Sequence, residues 1–66
     1  MWVLQIDTYE GRDPVPTVTH VFYGDTRADA KAVADAHRET DEFFAGSFTG
    51  EWNGIELHNR SSWRHV

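Results

Sequence analysis

From Trp2 to Tyr9 the chain alternates: Trp2, Leu4 and Ile6 fall on one side, and Val3, Gln5, Asp7 and Tyr9 on the other. Period-two alternation among β-branched and aromatic residues predicts a half-buried strand. The segment Glu10-Gly11-Arg12-Asp13-Pro14 follows. Its glycine suits positive φ and its proline cannot donate to a ladder, so it predicts a turn. A second strand is expected over Thr17–Tyr23, with Val18, His20 and Phe22 on one face and Thr17, Thr19, Val21 and Tyr23 on the other. The two strands pair as a hairpin through a loose loop.

The period changes after Gly24-Asp25-Thr26. Asp25 or Thr26 can cap the free amides of a helical first turn, and Asp29 suits the positive end of the helix dipole. Alanine-rich sequence then predicts one helix running to Phe44 or Ala45, with Gly46 as its C-terminal cap. Beyond it, Phe48–Trp52 and Ile55–His58 flank Asn53-Gly54, the preferred pair for a two-residue type I′ turn. Gly50 weakens the first of these strands. The expected order is ββαββ, or ββαβ if Thr49–His58 forms one irregular strand. The fold class is therefore α+β: a small antiparallel sheet of three or four strands under one amphipathic helix, in a single domain spanning residues 1–66.

Projected at about 100° per residue, the helix separates two faces. Arg27, Lys31, Asp35, Arg38, Glu39 and Glu42 gather toward solvent, and Ala30, Val33, Ala34, Ala36, Phe43 and Phe44 lie opposite. His37 and Thr40 fall inside the apolar arc and Asp41 at its edge. An imidazole placed there needs a partner, because an unsatisfied buried polar group costs about 1–3 kcal/mol. Three readings stay open. His37 is a core histidine bonded to Asp41 or to a strand carbonyl; or His37, Thr40 and Asp41 line a pocket or interface; or His37 and Asp41, at i, i+4, are two metal ligands joined by His20 or His58.

Composition narrows the classes. A chain of 66 residues buries only about 60% of its unfolded surface, so the core is marginal. Small folds compensate with disulfides, a metal or a partner subunit, and with no cysteine the first is excluded, as are thiolate metal sites. The nine aromatic residues, three of them tryptophan, suit a small core and also interfaces. A homodimer is the preferred compensation, and no cofactor or metal is assigned. The formal charge of −5 opposes binding to duplex DNA or an anionic membrane. All eleven acids precede His58, which leaves a locally basic tail carrying Arg60, Trp63 and Arg64. The plain reading of the tail is a solvated end. The functional one is capture of a small anionic ligand such as a nucleotide, by charge and stacking. No apolar run reaches the roughly 20 residues that span a bilayer, and the first residues lack a signal-peptide pattern, so a cytoplasmic protein is expected.

Catalytic motifs are weak. Gly24-Asp25-Thr26-Arg27 lies between strand and helix but lacks the second glycine and lysine of a phosphate loop. Ser61 and Ser62 have no nucleophile-elbow context, and carboxylate pairs such as Glu39 and Glu42 read as a solvated helix face. A small metal-dependent or acid–base enzyme is the third reading, behind two binding functions.

The stretches His20-Val21-Phe22-Tyr23-Gly24-Asp25-Thr26 and His37-Arg38-Glu39-Thr40-Asp41-Glu42-Phe43-Phe44 resemble a pattern of short uncharacterised proteins of phages, prophages and some archaeal and bacterial genomes. That pattern runs His-x-Phe-Tyr-Gly-x-Thr, an alanine-rich helix, then His-x-x-Thr-Asp-x-Phe-Phe, and covers about the middle 25 residues. The resemblance implies a mobile-element accessory protein that binds and neutralises a host molecule, and it singles out His20, Tyr23, Gly24, Thr26, His37, Thr40 and Asp41. The leading expectation is a non-enzymatic protein acting by protein–protein contact, on itself and on a host protein. His20, Tyr23, His37, Thr40 and Asp41 are its binding residues, and the anionic-nucleotide binder using Arg60, Trp63 and Arg64 is the alternative.

Overall fold

The computed structural model describes residues 1–66. The elements are β1 (Trp2–Glu10), β2 (Val18–Gly24), α1 (Arg27–Arg38), α2 (Glu42–Thr49), β3 (Glu51–Trp52) and β4 (Ile55–His65). The four strands make one antiparallel sheet in the order β2-β1-β4-β3. α1 crosses β2 and β1, and α2 lies over β4 and β3. The chain is thus an α+β domain, with two helices on one face of the sheet. No helix is long and apolar enough to cross a membrane.

The first hairpin follows the alternation. Leu4 lies opposite Phe22 and Ile6 opposite His20, and this side of the sheet meets the helices. Leu4, Ile6, Phe22, Ala30, Ala34 and Phe44 form the core. Only 11 of the 66 residues are buried, so the core is thin and each member matters. Thr26 caps α1, its Oγ1 accepting the Asp29 amide at 3.1 Å. Gly24 has a steric role, because a Cβ there would overlap the Ala30 amide and lie 2.8 Å from the Asp29 carbonyl carbon.

Three expectations need correction. The single helix is two. α1 stops at Arg38, the Thr40 amide and hydroxyl both bond back to the His37 carbonyl, and Asp41 turns extended (φ −130°, ψ 106°) to cap α2. Thr and Asp compete for backbone groups inside a helix and serve better at its ends. That competition wins here. α2 then runs on through Phe48, so Gly46 lies inside it and the cap is Gly50, at φ 97°. Gly46 instead admits β3, since a Cβ would meet the Glu51 carbonyl oxygen at 2.8 Å. The buried stripe of α1 narrows accordingly: Ala30 and Ala34 are buried, whereas Val33 is 48% exposed and Ala36 is open to solvent.

The second hairpin is real but lopsided. Asn53 (φ 52°) and Gly54 (φ 80°) form the two-residue turn, yet β3 keeps only Glu51 and Trp52. The basic tail is solvent-exposed from Arg60 to Val66, as expected of a solvated end, but it is not a loose one. β4 extends to His65, with Leu57–His65 pairing along all of β1 from Trp2 to Glu10, while β3 covers only Ile55 and Glu56 on its other side. Long-range pairing with β1 supplies the order that local sequence does not.

A buried polar chain locks α2 to this centre. Thr8, fully buried, donates to Asn59 Oδ1 at 2.8 Å. Asn59 Nδ2 donates to Ser47 Oγ at 2.8 Å, and Ser47 Oγ donates to the Phe44 carbonyl at 2.5 Å. These groups join β1, β4 and α2, and they fix the height at which Phe44 enters the core.

Candidate functional site

Phe44, fully buried, is the floor of the corner where α1, α2 and β2 meet. The His20 ring lies 4.4 Å from it and the His37 ring 5.2 Å, while His20 also stacks parallel to Phe22 at 6.0 Å. His20 comes from the edge strand β2 and His37 from the last turn of α1. Asp41 comes from the break between the helices, where its Oδ1 accepts the Phe44 amide at 3.0 Å. That cap leaves Oδ2 facing the imidazoles, 3.3 Å from His37 Nε2 and 3.9 Å from His20 Nε2. The side chains are 17% exposed at His20, 36% at His37 and 34% at Asp41. The corner is therefore walled by rings below and open to water on the helix side.

Its electrostatics follow from that placement. Burial, and then the charge of His37, hold His20 below the ordinary imidazole value of 6.5, against the opposing pull of Asp41. Asp41 sits below the ordinary 3.8, chiefly through the Phe44 amide bond, with the two imidazoles adding to the shift and burial opposing it. Neither His20 Nδ1 nor His37 Nε2 makes a hydrogen bond, although both are buried. The His37–Asp41 approach is a close contact rather than an aligned hydrogen bond.

Of the five residues expected at a binding site, His20, His37 and Asp41 come together and two do not. Tyr23 lies on the opposite, open face of the sheet from Phe22 and is 55% exposed. Thr40 is exposed and spends its hydroxyl on the His37 carbonyl. His58, the other candidate beside His37, stacks on Tyr9 on the open face, at 5.5 Å. Gly24 and Thr26 serve the turn and the α1 cap.

The three residues proposed for an anion do not converge. Arg60 and Arg64 fall on the open face, where Arg64 donates to Gln5 Oε1 at 3.2 Å. Trp63 alternates to the helix side, edge-on to Trp2 at 6.5 Å and 5.7 Å from the Arg27 guanidinium. Sequence reasoning missed a concavity beside Trp63. It has a volume of about 430 Å³, with Leu4 and Ile6 as its floor, Phe48 and Trp63 as walls, and Arg38 and the Lys31–Asp35 ion pair at its rim. It exists because α2 is one short helix that leaves the last residues of β4 uncovered. The only sequence signal was the basic, tryptophan-bearing tail, which the sequence offered either as a solvated end or as a small-anion site.

No family model, curated protein or solved structure matches the chain.

Proposed function

We propose that the protein is a small non-enzymatic binding protein that acts by contact in the cytoplasm, with a second copy of itself as its first partner. The observation that carries this reading is the outer edge of β2. Val18–Gly24 forms an edge strand with no charged side chain and no proline. Soluble sheets ordinarily protect an edge with charge, proline or a bulge, since an unpaired edge invites another strand. Val21 and Tyr23, 37% and 55% exposed, stand beside that edge. Antiparallel pairing of β2 with its copy would cover them, make one eight-stranded sheet, and add buried area to a thin core. The resemblance of the His20–Thr26 and His37–Phe44 stretches to phage and prophage proteins supports a mobile-element setting with a host protein as the further target.

Light scattering at two concentrations tests the reading. The dimer fraction rises with concentration in the wild-type chain, and Val21→Lys, which places a charge beside the edge, shifts it to monomer. A wild-type chain that is monomeric at both concentrations refutes it.

A second reading rests on the concavity beside Trp63. Its volume lies within the roughly 300–1,000 Å³ of small-ligand pockets. Asp35 on the rim already pairs with Lys31 at 2.9 Å, so Arg38 and the Trp63 ring are what favour a flat ligand carrying a negative charge, such as a nucleotide. This replaces Arg60 and Arg64 by Arg38 of α1. Tryptophan fluorescence reports the binding, and no change at millimolar nucleotide excludes it.

A further inference from the structure

We infer that His20, His37 and Asp41 form a binding site for a divalent transition-metal ion of the zinc class. The assignment is independent of the strand-edge pairing and rests on how three donors from three elements converge. One ligand atom from each lies within 4.8 Å of the other two, and Asp41 Oδ2 is 3.3 Å from His37 Nε2 and 3.9 Å from His20 Nε2. An ion bound tetrahedrally at about 2.0–2.1 Å separates its ligand atoms by about 3.4 Å. The two spacings to Asp41 bracket that value, and the His20–His37 separation, within 4.8 Å, closes by rotating the two rings toward the carboxylate.

The hydrogen bonding points the same way. His37 Nε2 faces a carboxylate oxygen at close range without an aligned hydrogen bond, and it is buried. A cation between the two satisfies both. Asp41 has a second anchor: the Phe44 amide on Oδ1 holds the carboxylate while Oδ2 stays free. Outer-shell bonds of this kind orient metal ligands and raise affinity. Phe22 and Phe44 pack against both rings and limit their freedom.

The donor set selects the ion. Two imidazoles and one carboxylate suit Zn²⁺, Co²⁺ or Ni²⁺, whereas Mg²⁺ and Ca²⁺ demand six or more oxygens. Three protein ligands leave a fourth position, and the exposed sides of His37 and Asp41 place it toward solvent, where water or a donor from outside the chain can occupy it. The ion would clamp β2 to the ends of both helices, the compensation a cysteine-free chain of this size lacks.

The test uses the untagged chain, stripped with a chelator and titrated with Co²⁺ and then Zn²⁺. One equivalent of Co²⁺ binds per chain with the visible bands of a low-coordinate nitrogen–oxygen site. Zn²⁺ displaces it, and Mg²⁺ in about hundredfold excess does not. Asp41→Asn keeps an oxygen to cap α2 but removes the anionic ligand, and His37→Gln removes an imidazole. Each weakens binding at least about tenfold, with folding confirmed by circular dichroism, so that either variant carries the test if the other fails to fold. The double substitution of His58 and His65 by Gln leaves binding unchanged. Absence of stoichiometric binding overturns the assignment, as does binding that survives Asp41→Asn and His37→Gln but disappears with His58 and His65.

Discussion

Asn59→Ala cuts the buried polar chain at its middle. Asn59 is the acceptor for Thr8 Oγ1 and the donor to Ser47 Oγ, both at 2.8 Å. The substitution removes two hydrogen bonds, each with a net value of about 0.5–1.5 kcal/mol, and strands the Thr8 hydroxyl in a fully buried position. Ser47 keeps its bond to the Phe44 carbonyl, so only one group is orphaned outright. The expected loss is about 2–3 kcal/mol. A domain of 66 residues has roughly 3–10 kcal/mol in all, so the variant sits near the edge of folding. At about 4–8 °C per kcal/mol for a domain of this size, its Tm falls by roughly 10–20 °C. Thr8→Val, which keeps the shape and removes the donor, costs about 1–2 kcal/mol. The double variant loses less than the sum, because the same bond is counted in both singles. Urea unfolding followed by tryptophan fluorescence reads all three. Additive losses, or an Asn59→Ala variant within about 0.5 kcal/mol of wild type, would refute the claim that this chain seats α2.

Three other outcomes follow from the same geometry. Gly24→Ala drives a methyl into the α1 backbone at Ala30 and Asp29, where neither side can give way. It should destabilise the fold by about 1–3 kcal/mol, read as a lower urea midpoint, and wild-type stability would show that α1 does not seat there. Asp41→Ala loses the α2 cap and costs about 1 kcal/mol, whereas Asp41→Asn retains it and costs little; equal losses in thermal melts of the metal-free chain would deny the cap its role. In the metal-free chain the urea midpoint depends on pH in two windows. His20 titrates below its ordinary 6.5 in the fold, so the unfolded chain takes up its proton first, and stability is lost as pH falls below about 6.5. Asp41, depressed below 3.8, adds a second loss in more acid solution. His20→Phe removes the first loss only, and a midpoint flat from pH 7 to 5 would contradict the burial of His20.

Much of the chain's order was written locally. Alternation over Trp2–Tyr9 and Val18–Tyr23, the Thr26 cap, and Asn53-Gly54 each act through two to eight neighbouring residues. Such signals survive without the rest of the molecule, so the α+β class, the first hairpin and the type I′ turn could be read directly. His20, His37 and Asp41 were legible as candidates because polar groups on an apolar arc require an explanation. Their meeting was not. His20 reaches the other two only because β2 pairs with β1 in a register that turns it toward the helices.

The rest depended on contacts between distant residues. Whether Thr40 and Asp41 continue a helix or break it is a near balance of local propensities, and the core decides it by drawing Phe44 under two imidazoles. The segment from His58 to His65 has little β preference of its own, yet it becomes a strand because nine residues of β1 stand opposite β4 to pair with it. The same pairing turns Trp63 to one side of the sheet and the two arginines to the other. A sequence states which residues can cap, turn or alternate within a few positions. Which surfaces they then share is a free-energy balance over the whole chain, and only the folded structure holds its result.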